Sequence, residues 1–391
     1  MKILFFLRTT ENDEIKRSDF RDIILRLKQQ GDEVYIYDTA TAICFRAENN
    51  GKLTRLPESR PVSGRGFSII ISRLSRLFFF SMKNRGKYDV AHFCYIREEF
   101  LILWFAVLKI AHKNIASVYG ADVGQRNIVK KYFKRFLYSV DIITITGTNG
   151  RDLLNRYFNF NRLEEKIVLL PLPSIILREI SDKGISKAEA KARLGLDEDD
   201  ILVVCGSVLS QNEQYEQWVP LLGRCITSER KTVFLFPFSY GNMNLLPHYR
   251  AIIESNLPDG SYRIISGWSS DEETANLRIA TDILISLRKN DQFAGIILES
   301  LFTGALVITG RWLKYSYLEE NNIWHLRAES LQDLPGKLSY ALSCIGEKSG
   351  NKELSENSRI ISRDFSYDSV INGWMLFYRE LRERIDEKRV L

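Results

Sequence analysis

The sequence predicts an α/β protein made of two successive doubly wound halves, each built on a parallel sheet. Short apolar runs alternate with amphipathic stretches from Lys2 to Leu170, and a strand–helix–strand order makes neighbouring strands parallel. Pro171 and Pro173 interrupt that rhythm, which restarts at Ile201. The 391 residues exceed one core and suit two domains of roughly 150–200 residues each. A composition 45% hydrophobic and 12% aromatic can fill both cores and argues against disorder.

Residues 2–7 are apolar after a single lysine, as in a strand buried on both faces. A polar loop over 8–16 leads to an amphipathic helix over 20–30, with Ile23, Ile24 and Leu27 on one face. Gly31 ends the helix and 33–37 forms the next strand. The alternation continues through a strand at 88–93, a buried helix at 98–111 and a strand at 115–119. A basic helix at 130–138, a strand at 141–146, a helix at 149–158 and a strand at 166–170 complete the first domain, residues 1–171. A linker is expected over 172–199. The second domain, 200–369, holds strands at 201–206, 232–237, 262–265, 282–286 and 305–309, with helices at 248–255, 271–280 and 295–303. A final helix over 370–385, within the segment 370–391, is expected to cross back to the first domain. Two such halves place a ligand cleft between them.

Composition excludes several classes. The net charge of +6 (55 basic, 49 acidic residues) is mild, and no nucleic-acid module accompanies it, so no nucleic-acid partner is expected. Cys44, Cys94, Cys205, Cys225 and Cys344 are scattered without C-x-x-C spacing, as expected of buried free thiols. The four histidines stand far apart, so no metal site is expected. The apolar run at the N-terminus is too short for a signal peptide, and the longest one, Phe100–Leu108, is too short to span a bilayer; a cytoplasmic protein is expected. No G-x-G-x-x-G follows the first strand, which argues against a dinucleotide oxidoreductase.

The most informative stretch is Ser286-Leu287-Arg288-Lys289-Asn290-Asp291-Gln292-Phe293-Ala294-Gly295-Ile296-Ile297-Leu298-Glu299-Ser300, followed by Leu301–Gly310. A strand ends, a polar loop turns, and an apolar helix begins. Backbone N–H groups near Ala294–Ile297 would point from the helix N-terminus into the cleft, a ready site for a diphosphate. Glu299 is placed there to accept hydrogen bonds from ribose hydroxyls. Taken singly, Asp291 also suits a solvated loop acid, Glu299 an acid favoured by the helix dipole, and Arg288 with Lys289 a solvated turn.

On these residues the chain resembles the family-4-like retaining glycosyltransferases of bacterial polysaccharide and glycan biosynthesis. That family carries a Glu-x7-Glu element in a strand–loop–helix, then a Gly-Val-Pro-Val-Val-like strand. This chain has Asp291-x7-Glu299 with Phe293 in register, and Gly304–Thr309 in place of the second piece. Tyr88–His92 is similar to the family's Tyr-Asp-Ile-Val-His strand, and Val118–Val123 to its His-Gly-x-Asp loop, with Tyr119 replacing the histidine. Asp141–Thr146 and Lys166–Pro171 match two further elements. The resemblance covers about residues 1–385. It implies a GT-B fold, two Rossmann-like domains with parallel sheets facing a central cleft, the first binding acceptor and the second a nucleotide sugar.

What the resemblance implies for the site follows residue by residue. Asp291 would face the transferring sugar, with Asp122 and Tyr119 as its catalytic partners across the cleft. Glu299, Arg288, Lys289, Gln292, Phe293, Ala294, Gly295, Ile296, Ser207, Tyr240 and Gly241 would bind the donor. The substrate is a nucleotide diphosphate-sugar, with no cofactor and no metal. One departure stands out. The family's diphosphate-binding Arg and Lys after the first strand of its second domain are missing from Gly206–Glu213. Either Arg288 and Lys289 supply that charge from across the site, or helix amides carry the recognition. Phe236–Asn242, with Tyr249 downstream, is similar to a Tyr-Gly loop in transferases of 4-acetamido-4,6-dideoxygalactose, which points to a deoxyaminosugar donor.

The expected activity is hexosyl transfer, with retention, from a nucleotide diphosphate-sugar to a glycan or lipid-linked acceptor in cell-surface polysaccharide biosynthesis. Arg73–Phe80 and Lys130–Phe136 interleave cations with aromatic residues, which suits peripheral contact with the anionic inner face of the cell membrane. One alternative is a nucleotide-sugar 2-epimerase of the same fold, for which Asp122 and Asp291 are the obvious acids. The other is a non-catalytic glycan-binding or scaffold subunit, favoured by the missing Arg/Lys pair.

Overall fold

In the first unit the apolar run at the start of the chain becomes β1 (Lys2–Leu7), buried from Ile3 onward. A small hairpin of β2 (Thr10–Glu11) and β3 (Glu14–Ile15) follows. Then come β4 (Glu33–Asp38), β5 (Ile43–Ala47), β6 (Leu53–Arg55), β7 (Tyr88–Phe93), β8 (Ala111–Val118), β9 (Ile142–Ile145) and β10 (Ile167–Leu169). One eight-stranded sheet runs β10-β9-β8-β7-β1-β4-β5-β6, parallel except at β5 and β6. The computed structural model describes the chain apart from residues 8–9, 12–13, 16–19, 57–66, 95, 120–126, 148–149, 153, 156–163, 226–230, 268, 292, 346–347 and 391. The chain divides into two compact units, Met1–Pro173 with Asp368–Leu391, and Ser174–Tyr367.

Several expectations are corrected in this unit. The antiparallel β5 and β6 and the helix Phe67–Lys83 were not foreseen. A hairpin signal was present, since Asn50-Gly51 joins β5 to β6 with Gly51 at φ +82°. The buried helix at 98–111 is instead two short helices, Glu98–Ile102 and Trp104–Val107, and β8 begins at Ala111. The front of β8 is polar, which hid it: Asn114 donates to the Leu108 carbonyl and Lys113 pairs with Asp141. Of the expected helix 149–158, residues 150–152, 154 and 155 are described and helical, and the other five lie outside the described residues.

The stretch 172–199 is not a bare linker. It carries helices Ile175–Lys183 and Lys187–Arg193, capped by Ser174 and by a Ser186–Glu189 capping box. Leu177, Ile180 and Ala190 are buried in the second unit's core. The C-terminal helix, Tyr367–Val390, holds to the first unit from Asp368 on. Trp374 Nε1 donates to the Pro171 carbonyl at 2.8 Å, and Arg382 pairs with Asp32 at 2.7 Å. Tyr378 Oη meets His92 Nδ1 at 2.6 Å.

The second unit is one parallel sheet of β11 (Ile201–Cys205), β12 (Thr232–Phe238), β13 (Tyr262–Ser266), β14 (Ile283–Ser286), β15 (Leu306–Gly310) and β16 (Leu326–Ala328). Its order is β13-β12-β11-β14-β15-β16. Alternate residues feed two cores: Ile201, Val203 and Cys205 of β11 face one, Leu202 and Val204 the other. Strand order reverses between β11 and β14. In open α/β sheets the carboxyl ends at such a switch point form the ligand crevice. No described helix is long and apolar enough to cross a membrane. All five cysteines are buried, and none is in a disulfide.

Candidate functional site

Three loops meet at the switch point, following β11, β12 and β14. After Cys205 the chain turns at Gly206, at φ +66°. A Cβ there would overlap the Tyr215 ring, 2.8 Å from Cζ, so glycine is required. Ser210 accepts from the Asn212 amide, and a 3₁₀ turn over Gln211–Glu213 sends Glu213 inward to complete burial. Trp218 Nε1 holds the Glu213 carbonyl at 2.7 Å.

The loop after β14 is stapled to that turn. The Lys289 amide donates to the Asn212 carbonyl at 2.8 Å, Asn212 Nδ2 to the Asn290 carbonyl at 2.8 Å, and Gln214 Nε2 to the Leu287 carbonyl at 2.8 Å. The third loop joins by a bridge between Leu209 and Gly241, with Leu209 donating to the Tyr240 carbonyl at 2.9 Å. Gly241, at φ +115°, admits that approach because a Cβ would sit 2.9 Å from the Leu209 carbonyl carbon.

Inside the staple sits Arg288. Its Nε donates to Glu213 Oε1 at 3.0 Å, Nη2 approaches the same oxygen at 2.9 Å, and Nη1 donates to Asp291 Oδ1 at 3.2 Å. Nη2 also donates to Ser207 Oγ, which itself reaches Glu213 Oε1 at 3.2 Å. Asp291 Oδ2 accepts from the Ala294 amide at 2.7 Å, the Phe293 amide at 3.2 Å and Tyr315 Oη at 2.8 Å. Asp291 therefore folds the loop that opens the helix Gly295–Phe302. Phe293 holds φ +115°, a region that side chains other than glycine's seldom enter. Its ring packs against Tyr315, Tyr317 and Phe365, with centroids 5.5, 6.0 and 6.1 Å away.

The electrostatics follow from burial. Burial raises the Glu213 pKa, and Arg288 and Ser207 oppose the rise. Burial disfavours the Arg288 charge, but Glu213 and Asp291 outweigh it and hold the guanidinium protonated above its ordinary range. Tyr315 is pushed well above its usual range by burial, then by Asp291.

Glu299 lies on the inner side of its helix, with its side chain running back toward the N-terminus; a Cβ on Gly295 would stand 3.3 Å from Oε1. Its Oε2 pairs with Arg278 Nε at 2.9 Å, both side chains about nine-tenths buried, and Oε1 accepts from Ser174 Oγ at 3.2 Å.

The structure thus gathers Ser207, Tyr240, Gly241, Arg288, Lys289, Asp291, Phe293, Ala294, Gly295 and Ile296 at one end of the sheet, with Glu299 beside Gly295. Tyr119 follows β8 in the first unit, while Asp122 and Gln292 lie outside the described residues. Sequence reasoning missed Glu213, Tyr315 and Arg278. Glu213 stands 75 positions from Arg288, so no local spacing announces the pair.

The basic-aromatic segments divide. On the helix Phe67–Lys83, Ile70, Ile71, Phe79 and Met82 are exposed while Leu77 is buried. On the helix Asn127–Ser139, Tyr132 is exposed, but Phe136, expected on the surface, is wholly buried against Phe93. Leu137 and Phe133 share that core, so the buried stripe claimed Phe136.

No protein-family model matches the sequence, and no curated protein matches it. Solved structures do match. A glycosyltransferase from Rickettsia africae superposes with a TM-score of 0.72 at 15% identity, over 97% of this chain and 98% of that one. Sucrose-phosphate synthase from Thermosynechococcus elongatus gives 0.70 at 12% identity, over 98% and 100%. HepE from Anabaena, in complex with UDP-glucose, gives 0.67 at 12% identity, over 97% and 100%. The chain has the two-domain α/β GT-B fold of such glycosyltransferases.

Proposed function

We propose that the protein is a family-4-like retaining glycosyltransferase that moves a hexose-type sugar from a nucleotide diphosphate-sugar to a glycan or lipid-linked acceptor in cell-surface polysaccharide biosynthesis. One observation carries the reading. At the switch point of the second unit, Asp291 and Glu299 bracket the start of one helix, as the Glu-x7-Glu element of that family does. HepE, which shares the fold, was solved with UDP-glucose and with UDP and glucose.

In this reading the amides of Gly295 and Ile296 and the side chains of Arg288 and Lys289 receive the diphosphate. Fixed dipoles and cations there stabilise the charge that develops as the glycosidic bond breaks, without a metal. Glu299 takes the ribose hydroxyls at the edge of its Arg278 pair. Asp291 orders the loop that faces the transferring sugar, and the Tyr240–Gly241 loop suits a deoxyaminosugar. Tyr119 and Asp122 serve from the first unit, which takes the acceptor. The exposed apolar and basic side chains of Phe67–Lys83 and Asn127–Ser139 hold the enzyme against the cytoplasmic face of the membrane.

A second reading, a non-catalytic glycan-binding subunit, draws on one observation. No Lys or Arg stands between Gly206 and Tyr215, and Arg288 already faces two carboxylates. Incubating the protein with nucleotide sugars, alone and then with membrane extract, separates the two. Release of free nucleotide with sugar incorporation supports the transferase, and NMR of the product reads retention. Donor binding without turnover across the panel supports the subunit.

A further inference from the structure

Arg288 is held by two carboxylates of unequal independence. Asp291 spreads its charge over two backbone amides and the Tyr315 hydroxyl besides Arg288. Glu213 relies on Arg288 and Ser207, both on Oε1. Its Oε2 is buried with no hydrogen-bond partner among the described residues, and it lies against Gly206, 3.0 Å from where a Cβ would stand. The Glu213 side chain is 0% exposed and that of Arg288 12%.

Resting on the transferase reading, we propose that Glu213 is the positioning residue for Arg288 and yields it to the donor's diphosphate, taking one proton from solvent onto Oε2. A diphosphate at the guanidinium would otherwise make three anions share one cation, with Glu213 ionised at the closed end of the site. A buried charge stripped of its partner is costly, and a carboxylate escapes that cost by protonating. The step is a single proton transfer with an exchange of ion pairs: a buffer acid gives up its proton, an O–H forms on Glu213, and the Arg288–Glu213 pair is exchanged for an Arg288–diphosphate pair.

The charges around Glu213 support this assignment. From the β14 loop, Arg288 lowers its pKa and Asp291 raises it; Tyr215 faces it from the helix that follows, with Tyr249 and Tyr315 beyond. All three tyrosines are raised above their ordinary range, chiefly by burial, so none exchanges a proton near neutrality. Burial already lifts Glu213, and drawing Arg288 away lifts it further. Binding that takes up a proton tightens as pH falls. As pH rises between the free and donor-bound pKa of Glu213, affinity weakens toward about tenfold per pH unit.

The test is calorimetric titration of the full chain with UDP-glucose, dTDP-glucose and GDP-mannose, each in two buffers of different ionisation enthalpy. A doubly esterified diphosphate does not titrate near neutral pH, so the proton count reports the protein. The wild type should take up a proton on binding, with Kd rising with pH. Glu213→Gln should take up none and show a flat Kd, whereas Asp291→Asn should keep the uptake. Should Glu213→Gln fail to fold, the wild-type pH profile and the Asp291→Asn proton count decide. Binding without uptake, uptake equal in Glu213→Gln, or uptake lost in Asp291→Asn overturns the inference and leaves the donor reading standing. No binding of any of the three nucleotide sugars, nor of UDP, dTDP or GDP alone, overturns both.

Discussion

Replacing Glu299 with alanine should act on stability before it acts on the donor. The carboxylate pairs with Arg278 at 2.9 Å, with side chains 10% and 9% exposed, and accepts from Ser174, which caps the helix Ile175–Lys183. Removing it leaves the Arg278 guanidinium buried without its counter-charge; its Nη1 already lacks a partner among the described residues. Breaking a buried pair from one side costs about 3–5 kcal/mol. For a unit the size of Ser174–Tyr367, each kcal/mol moves the midpoint by about 2–4 °C, so Tm should fall by about 6–20 °C. The assay is thermal unfolding followed by circular dichroism, without nucleotide. Arg278→Met combined with Glu299→Met should recover much of the loss, because neither charge is then stranded. If Glu299 also holds the ribose, nucleotide binding measured below the lowered midpoint should weaken by about 1–3 kcal/mol. A Glu299→Ala midpoint within 1–2 °C of wild type would refute the reasoning about the pair, since about 3 kcal/mol cannot hide in so small a shift.

Gly206→Ala forces a Cβ into Tyr215 and a left-handed backbone onto alanine, and should cost at least about 2 kcal/mol by urea denaturation. The double variant with Tyr215→Phe should recover little, because the ring carbon remains in the way. Burial pushes the His92 pKa down to about 3 from 6.5, so the unfolded chain binds the extra proton between those values. The first unit should therefore be most stable above about pH 6.5 and lose up to about 1.4 kcal/mol per pH unit below it. His92→Gln should flatten that slope in urea titrations at pH 7, 6 and 5. Binding to anionic vesicles should be measurable at low salt and weaken as salt is added. Phe79→Ser with Lys131→Ser and Arg135→Ser should remove it at unchanged Tm, as all three side chains are exposed.

Legibility in the sequence followed the range of the interactions. β1, β11 and β14 are covered on both faces, so their runs are almost wholly apolar and visible without knowing their neighbours. β5 and β6 lie at a sheet edge with Arg46, Thr54 and Arg55 exposed, and their mixed composition reads as loop. The helices at 175–193 were lost because two prolines just upstream suggested a linker, although Ser186 with Glu189 spelled a capping box. Phe136 was misplaced for the converse reason. In a helix where cations and aromatics alternate, the buried stripe is set by which residues face the sheet, and charge content does not reveal it.

The same distinction divides the site. Asp291, Phe293, Ala294 and Gly295 are neighbours in the chain, and the Asp291 carboxylate bonds amides two and three residues ahead, so a local pattern exposed the loop. Glu213, Tyr315, Arg278 and Ser174 reach the site from other helices, their caps and a 3₁₀ turn. Their types are ordinary, and only the fold makes them partners. Arg288 shows what that costs a reading by spacing. As a sequence letter it is a free cation standing in for a missing pair. In the fold it clamps two loops and carries the charge of a buried glutamate, so its service to a phosphate is conditional on what becomes of Glu213. Under the proposed exchange, a site assembled this way would tie donor affinity to protonation, whereas a pair of exposed cations after β11 would have left it governed by salt alone.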